Sequence, residues 1–491
     1  MPRENPPRHF GFARPNWSPV ERRRRRAART ALYSSLLLTA VAGWLGGRAI
    51  ESSTLRASEQ AWSHVDFKAL PEVQLLSAYV RIDTSPATGS EVDGARFLAA
   101  RLREAGIEPT LDLVDAKHAN LWAVIEGKSP QAIVLHHHID VTSADPAEWA
   151  FPPFDGLVQG PWIRGRGTFD MKSVAIAQLL AFLDVHRAKE RPERTLILLA
   201  TSAEEEGSKT GMQRLIERQP ELFRRCVLFL TEGGALEARS IEDVKYWGIE
   251  FAQRRYVHLL ARAGRDRLET LRRALDARGR WEGEPRLTPE ARLFLDAYGS
   301  SRDSADFREV LRHPDKLTSD PDLLARTPPV VHELLVDSLS AEPIRVTAAG
   351  LAELPLDLLL LPGTTLAAAR AELLPDAILE GVSVETEVEN PPAAGSSLEH
   401  PAYAAMRRAL REHHGNVPVG PYMLGHTLTD ARFARALGIP AYGFSPFLLL
   451  SIDTYRVDKL DERIGLPGYV IGVATYRELV GRLVNDASQW N

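Results

Sequence analysis

The chain has 491 residues, 44% hydrophobic and 25% charged, enough to bury more than one core, so two folded units are the first expectation. A formal net charge of -5 argues against a nucleic-acid binder, which would show a basic domain. A single cysteine, Cys226, excludes an intrachain disulfide and a cysteine-rich zinc site, leaving the 14 histidines and the carboxylates to hold any metal.

The first feature in chain order is the basic run Arg22 to Arg26, within a tail over residues 1–29. An apolar stretch follows, from about Ala31 to Gly47, and reads as a membrane anchor over residues 30–50, near the short end of the roughly 17 to 25 residues that span a bilayer. Arginines before the span predict a cytoplasmic N-terminus and a single-pass protein with its folded part on the extracytoplasmic side. A cleaved signal peptide is the competing reading, disfavoured because no small-x-small cleavage site follows the apolar run. Residues 51–67 read as a polar stalk.

From residue 68 to 248 the pattern alternates between helix and strand periods, which predicts an α/β unit. Val92, Ala95, Ala99 and Leu102 keep helical spacing up to Gly106. Leu121 to Ile125, Ala132 to Leu135, Thr195 to Ala200 and Val227 to Leu230 are continuous apolar runs of strand length, the pattern of strands buried on both faces of a mostly parallel sheet. Ile176, Leu179, Leu180 and Leu183 mark a helix between two of them. Over 249–393 the texture turns to Arg- and Glu-rich helical segments, and we read an inserted α+β domain. The α/β pattern resumes over 394–491, with a helix around Tyr403 to His413, a strand near Ala441 to Phe444 and a closing helix from about Val470 to Val484.

Four acidic or histidine clusters directly follow the apolar runs, where the carboxyl ends of parallel strands gather loops at one edge. In His136-His137-His138-Ile139-Asp140, His138 suits a metal through one ring nitrogen while Asp140 takes the proton of the other. The glycines of Arg164-Gly165-Arg166-Gly167-Thr168-Phe169-Asp170 allow a tight loop that delivers Asp170 to the start of a helix. A carboxylate there bridges two metals or merely caps the helix. Glu204, Glu205 and Glu206 crowd three carboxylates after a buried strand, where one can ligate and its neighbour act as base, or all three form a solvated helix start. The fourth cluster is Thr231-Glu232-Gly233-Gly234.

Taken in this order, with Asp140-Val141, Glu148-Trp149, Pro152-Pro153-Phe154 and Gly165-Arg166-Gly167, the clusters resemble the di-zinc aminoacylase and carboxypeptidase family. That family includes glutamate carboxypeptidase, succinyl-diaminopimelate desuccinylase and the vacuolar carboxypeptidase S group. Thr429-Asp430-Ala431-Arg432, Gly438-Ile439-Pro440 and Asp461-Glu462-Arg463-Ile464 extend the resemblance, which runs from about Leu75 to the C-terminus. It implies a discontinuous catalytic α/β domain interrupted by an α+β lid that often forms a homodimer. It also implies that His138 and Glu232 hold one zinc, that Glu205 helps to hold a second, that Asp170 bridges them and that Glu204 is the base. The expected reaction is hydrolysis of small peptides or N-acyl amino acids, with two zinc ions per chain, and cobalt or manganese as substitutes for the same ligands. Arg432 is a candidate contact for a substrate carboxylate, with a structural ion pair as the alternative.

Three family features are absent. Asp458 stands where the family carries a zinc-binding histidine, and it is the candidate replacement ligand. The lid's Gly-His-Ser-Ser is replaced by Arg262-Ala263-Gly264-Arg265-Asp266, and its Asp-x-Arg by Asp357-Leu358-Leu359. A relative that binds metal or a peptide-like ligand without turnover is therefore the alternative reading, with Arg254, Arg255, Arg262 and Arg265 as possible replacements for the missing lid groups.

Overall fold

The computed structural model describes residues 64–238, 243–277, 281–300, 311, 313–347, 350–454, 456–488 and 490. They group into two compact units. The larger comprises Val65–Arg254, Leu287–Leu334 and Pro391–Asn491, and the smaller contains Arg255–Arg286 and Leu335–Asn390. The stretch expected as one insert, 249–393, thus contains residues 287–334, which group with the larger unit.

Strands of the larger unit are, in order, β1 (Thr110–Leu113), β2 (Ala119–Ile125), β3 (Ser129–His138), β4 (Leu157–Gln159), β5 (Trp162–Arg164), β6 (Arg194–Thr201), β7 (Cys226–Thr231), β8 (Ala235–Ala238) and β9 (Val244–Gln253). The smaller unit supplies β10 (Arg255–Ala263), β11 (Ser338–Ala341), β12 (Arg345–Val346), β13 (Ala352–Leu360) and β14 (Ser383–Glu389), and the larger resumes with β15 (Val419–Leu424), β16 (Ala441–Gly443) and β17 (Arg463–Gly465).

The large sheet runs β1-β2-β6-β3-β7-β16-β9-β15. Its centre, β6, β3, β7 and β16, is parallel, and β2 joins it antiparallel at one side. This is the expected mixed α/β architecture with a mostly parallel central sheet. Both faces are covered, which is why the strands read as continuous apolar runs. Ala132, Val134, Ile197 and Leu199 point to one face, where they meet Leu215, Phe223 and Phe433 from three short helices. By strand alternation the neighbours Ile133, Leu135, Leu196 and Leu198 point to the other face, where helix Lys172–Arg187 packs on β3 and β6. That helix is buried almost all round, between the sheet and the helices Pro71–Val80 and Leu466–Asn485.

The smaller unit is an antiparallel sheet ordered β11-β13-β10-β14, with β12 also on β13. Val257, Leu259 and Ala261 of β10 alternate toward one face with Leu354, Leu356 and Leu358 of β13, and helices Arg265–Ala277 and Leu366–Leu373 cover them. The other face carries the charged groups Arg262, Glu353, Asp357 and Glu385 beside Leu260.

The expected membrane anchor is corrected. Among the described residues no helix is long and apolar enough to cross a membrane. The tail and anchor segments, 1–29 and 30–50, and the stalk up to residue 63 lie outside the described residues. The membrane as a partner, the single-pass topology and the extracytoplasmic placement are accordingly not retained.

Candidate metal centre

The three consecutive histidines that end β3 divide by strand alternation. His137 turns to the helix-covered face, where its Nδ1 meets Gln178 Oε1 at 2.9 Å. His136 and His138 share the opposite side. His138 ends the strand at the carboxyl edge, buried to 2% exposure. Its Nδ1 donates to the main-chain oxygen of Asp140 at 2.9 Å and lies 3.4 Å from the Asp140 carboxylate. Its Nε2 is thereby directed at Asp170 Oδ1, 3.0 Å away, and Glu232 Oε1, 3.3 Å away.

Glu232 directly follows β7, and Gly233 and Gly234 beside it adopt φ values of 121° and 100°. A side chain at Gly234 would place its Cβ 2.4 Å from the oxygen of Gly248, so the turn after Glu232 requires glycine. Glu204 and Glu205 follow β6 in a turn fastened by Asp140, whose two carboxylate oxygens accept the main-chain N–H of Glu204 at 3.0 Å and of Glu205 at 2.9 Å. Asp140 therefore clamps the acidic loop as well as the ring of His138. Asp170 does not cap the helix it precedes: Met171 is the N-cap residue and no side chain caps there. The loop that carries Asp170 is tied down by Glu462, which accepts from Arg166 Nη1 at 2.8 Å and from the main-chain N–H groups of Gly167 and Phe169 at 3.1 and 2.9 Å. Glu462, in Asp461-Glu462-Arg463-Ile464, has no local signal for this role, because its partners lie 293 to 296 residues away along the chain. Asp458, in a turn at φ 56°, accepts from Thr142 Oγ1 at 3.1 Å and lies 3.9 Å from Arg166 Nη1.

His138, Asp170 and Glu205 bring ligand atoms within 4.8 Å of one another. Negative charge dominates the surroundings, and the carboxyl groups respond as crowded buried acids do. Burial pushes Asp458 up to about 8, with Asp170 adding to the rise. Asp170 goes up to about 7 through burial and Glu232. Glu205 is raised well above its usual range by burial, Asp458 and Asp170. Glu204 goes up to about 7 by burial, with Arg432 pulling the other way. Burial alone would lower His138, but Glu232, Asp140 and Asp170 hold its imidazole well above the ordinary value. Glu205 Oε1 is buried without a hydrogen-bond partner. A buried acceptor with no donor, among acids that repel one another, fits a divalent cation. The donor set of one imidazole and several carboxylates suits zinc, manganese or cobalt.

Arg432 is 4% exposed, and its Nη1 and Nη2 bond Glu204 Oε1 at 2.7 Å and Ser208 Oγ at 3.0 Å. The ion pair weighed as the alternative at this position is therefore present. The lid arginines are also engaged within their own units. Arg262 pairs with Glu353, Glu385 and Glu387, Arg265 with Glu269, and Arg255 with Glu389, while Arg254 Nη1 donates to the main-chain oxygen of Gly425 at 3.0 Å.

A sequence profile described as Peptidase family M20/M25/M40 matches residues 134–482. The probable succinyl-diaminopimelate desuccinylase of Staphylococcus aureus (strain MRSA252) is 31% identical over 147 residues, 29% of this chain and 35% of that protein. The N-formyl-4-amino-5-aminomethyl-2-methylpyrimidine deformylase of Halalkalibacterium halodurans is 30% identical over 169 residues, 33% of this chain and 39% of that protein. The chain thus spans little more than a third of the length of these curated relatives. Among solved structures, the M20 family metallo-carboxypeptidase Sso-CP2 from Sulfolobus solfataricus superposes with a TM-score of 0.63 at 16% identity, over 84% of this chain and 99% of that one. Human carnosine dipeptidase 1 gives 0.60 at 14% identity, over 88% and 100%. At such identities the likeness is one of fold.

Proposed function

This chain belongs to peptidase family M20/M25/M40, and from that premise we propose that it is a metal-dependent hydrolase of amide bonds beside a free carboxylate, in small peptides or N-acyl amino acids. The observation that carries the reading is the gathering, at one edge of the parallel strands, of His138, Asp170 and Glu205 with ligand atoms within 4.8 Å of one another, Glu204 preceding Glu205 in the chain.

In this reading His138 and Glu232 would hold one zinc ion and Glu205 and Asp458 a second, with Asp170 contributing to both. Held there, the metal would supply Lewis-acid polarisation of the scissile carbonyl and would lower the pKa of the attacking water. Glu204 takes the proton of that water on a carboxylate oxygen and returns it to the leaving amine, as a general base and then acid. Burial raises its affinity for protons against the pull of Arg432, which favours its holding a proton between the two transfers. Asp140 contributes by orientation: it selects the His138 tautomer whose Nε2 is free to ligate and holds the main chain beneath Glu204 and Glu205. The rival reading of a degenerate relative draws no support from this group, since Asp170 and Glu232 lie 3.0 and 3.3 Å from the His138 imidazole and Glu205 brings a ligand atom within 4.8 Å of His138 and Asp170.

Glu204→Gln tests the assignment. The variant should fold and bind metal as the parent does, with turnover down by about 100- to 10,000-fold, the usual worth of a positioned acid–base. Parental turnover in this variant would overturn the role of Glu204.

A further inference from the structure

A buried polar chain runs away from Glu204 into the protein. Arg432 Nη1 donates to Glu204 Oε1 at 2.7 Å, and Nη2 donates to Ser208 Oγ at 3.0 Å and lies 3.4 Å from Asp430 Oδ1. Ser208 Oγ in turn donates to Asp430 Oδ1 at 2.5 Å. Asp430, 1% exposed, stands 3.4 Å from His136 Nε2. His136 is held between Thr201 Oγ1 at 2.8 Å and Thr231 Oγ1 at 2.9 Å, at the ends of β6 and β7, and stacks on Phe229. The guanidinium also lies 4.7 Å from the ring centre of Phe433. Every member of the chain is thus locked by another, and the last link is anchored on the two strands that flank β3.

We propose that Arg432 is a positioning residue that fixes the rotamer of Glu204, with Asp430 and His136 orienting Arg432 from behind. The inference rests on the reading of Glu204 as the general base. A glutamate has three side-chain torsions, and an unrestrained one would spend most of its time away from the reacting water. A planar guanidinium held from behind supplies a directed donor that a solvated lysine does not. Both terminal nitrogens are occupied inside the protein, so this arginine does not have a free fork for a substrate carboxylate.

The test compares Arg432→Lys and Arg432→Met with the parent, alone and combined with Glu204→Gln, using an N-acyl amino acid and its C-terminal amide as substrates. Arg432→Lys keeps the charge and should fold with the parent's metal content. Its kcat should fall by about 10- to 100-fold, the scale of a misplacement near 1 Å, with KM within about threefold for both substrates. Arg432→Met should fall further; if it does not fold, the lysine variant still decides. Combined with Glu204→Gln, the lysine substitution should cost nothing more, because the group it positions is already gone. Three results overturn the proposal: parental kcat in Arg432→Lys, a KM rise confined to the carboxylate substrate, or multiplying losses in the double variant. Parental activity in Glu204→Gln alone would overturn the assignment of the base and this proposal together. An inactive Glu204→Gln with normal Arg432 variants would overturn only the positioning role.

Discussion

The strand-end cluster of the larger unit and the polar face of the smaller unit's sheet are both rich in charge, yet they balance it in opposite ways. On the smaller sheet each charge meets its partner: Arg262 reaches Glu353 at 2.9 Å and also pairs with Glu385 and Glu387. Asp357 Oδ1 there accepts from Tyr256 at 2.7 Å and lies 2.7 Å from His258 Nδ1. At the strand ends Glu204 has Arg432, but Asp170 and Glu232 crowd the single imidazole of His138, and Asp170, Glu205 and Asp458 are pushed up by burial and by neighbouring acids. Matched charge stabilises a surface, whereas unmatched buried charge is costly without a cation, so the imbalance marks the site.

The largest effect expected of this contrast concerns His138, the one imidazole in the crowded cluster. His138→Ala should release about one metal per chain and remove turnover by 1000-fold or more, about the full contribution expected of a catalytic metal and its base. Metal analysis beside single-substrate assays checks it, and a parent protein free of metal after preparation in zinc would break the comparison at its root.

Next in size is the pH dependence of the metal-free protein. Asp170, Asp458 and Glu91, which accepts from the main-chain N–H of Ala203 beside the acidic loop at 3.2 Å, are raised to about 7, 8 and 9 and bind protons more tightly folded than unfolded. Their stabilising contribution is complete below the ordinary carboxyl range near 4 and is lost as pH rises toward the folded values. Thermal stability of the metal-free chain should therefore fall between about pH 5 and pH 8, and the zinc-loaded chain should show a flatter profile. Differential scanning calorimetry of both forms decides, and identical profiles would mean that the cation does not balance these acids.

A smaller effect is expected of Asp458, which brings a charge to the position where a neutral imidazole was anticipated. The zinc shared with Glu205 should be the weaker of two and the first removed by a chelator, and Asp458→His should tighten it by about tenfold, the scale of one adjusted ligand shell. Equal affinities in the parent, with Asp458→His weakening both metals, would identify Asp458 as an adapted ligand.

The smallest change should follow Arg262→Met in the matched network: a modest fall in Tm that shrinks with added salt, with metal content and kcat preserved. Loss of metal in this variant would show that the two regions are not separate in kind.

The mostly parallel core and the order of its parts are legible along the chain, because two-faced burial writes a strand as an unbroken apolar run and loops at strand ends carry the acids that follow it. Ala132 to Leu135 leading into His138, and Val227 to Leu230 leading into Glu232, are local patterns of this sort. Membership of the family was legible for the same reason, since motifs in order survive the loss of individual residues. Tertiary structure alone decided what each charge faces. Arg432 lies 228 residues from Glu204 along the chain, Thr142 lies 316 from Asp458, and Glu462 lies 296 from Arg166. No local period encodes such pairings. Whether an arginine reaches for substrate or an aspartate caps a helix depends on which side chains the packed sheet brings within 3 Å, and residues 287–334 join the larger unit through contacts of the same non-local kind.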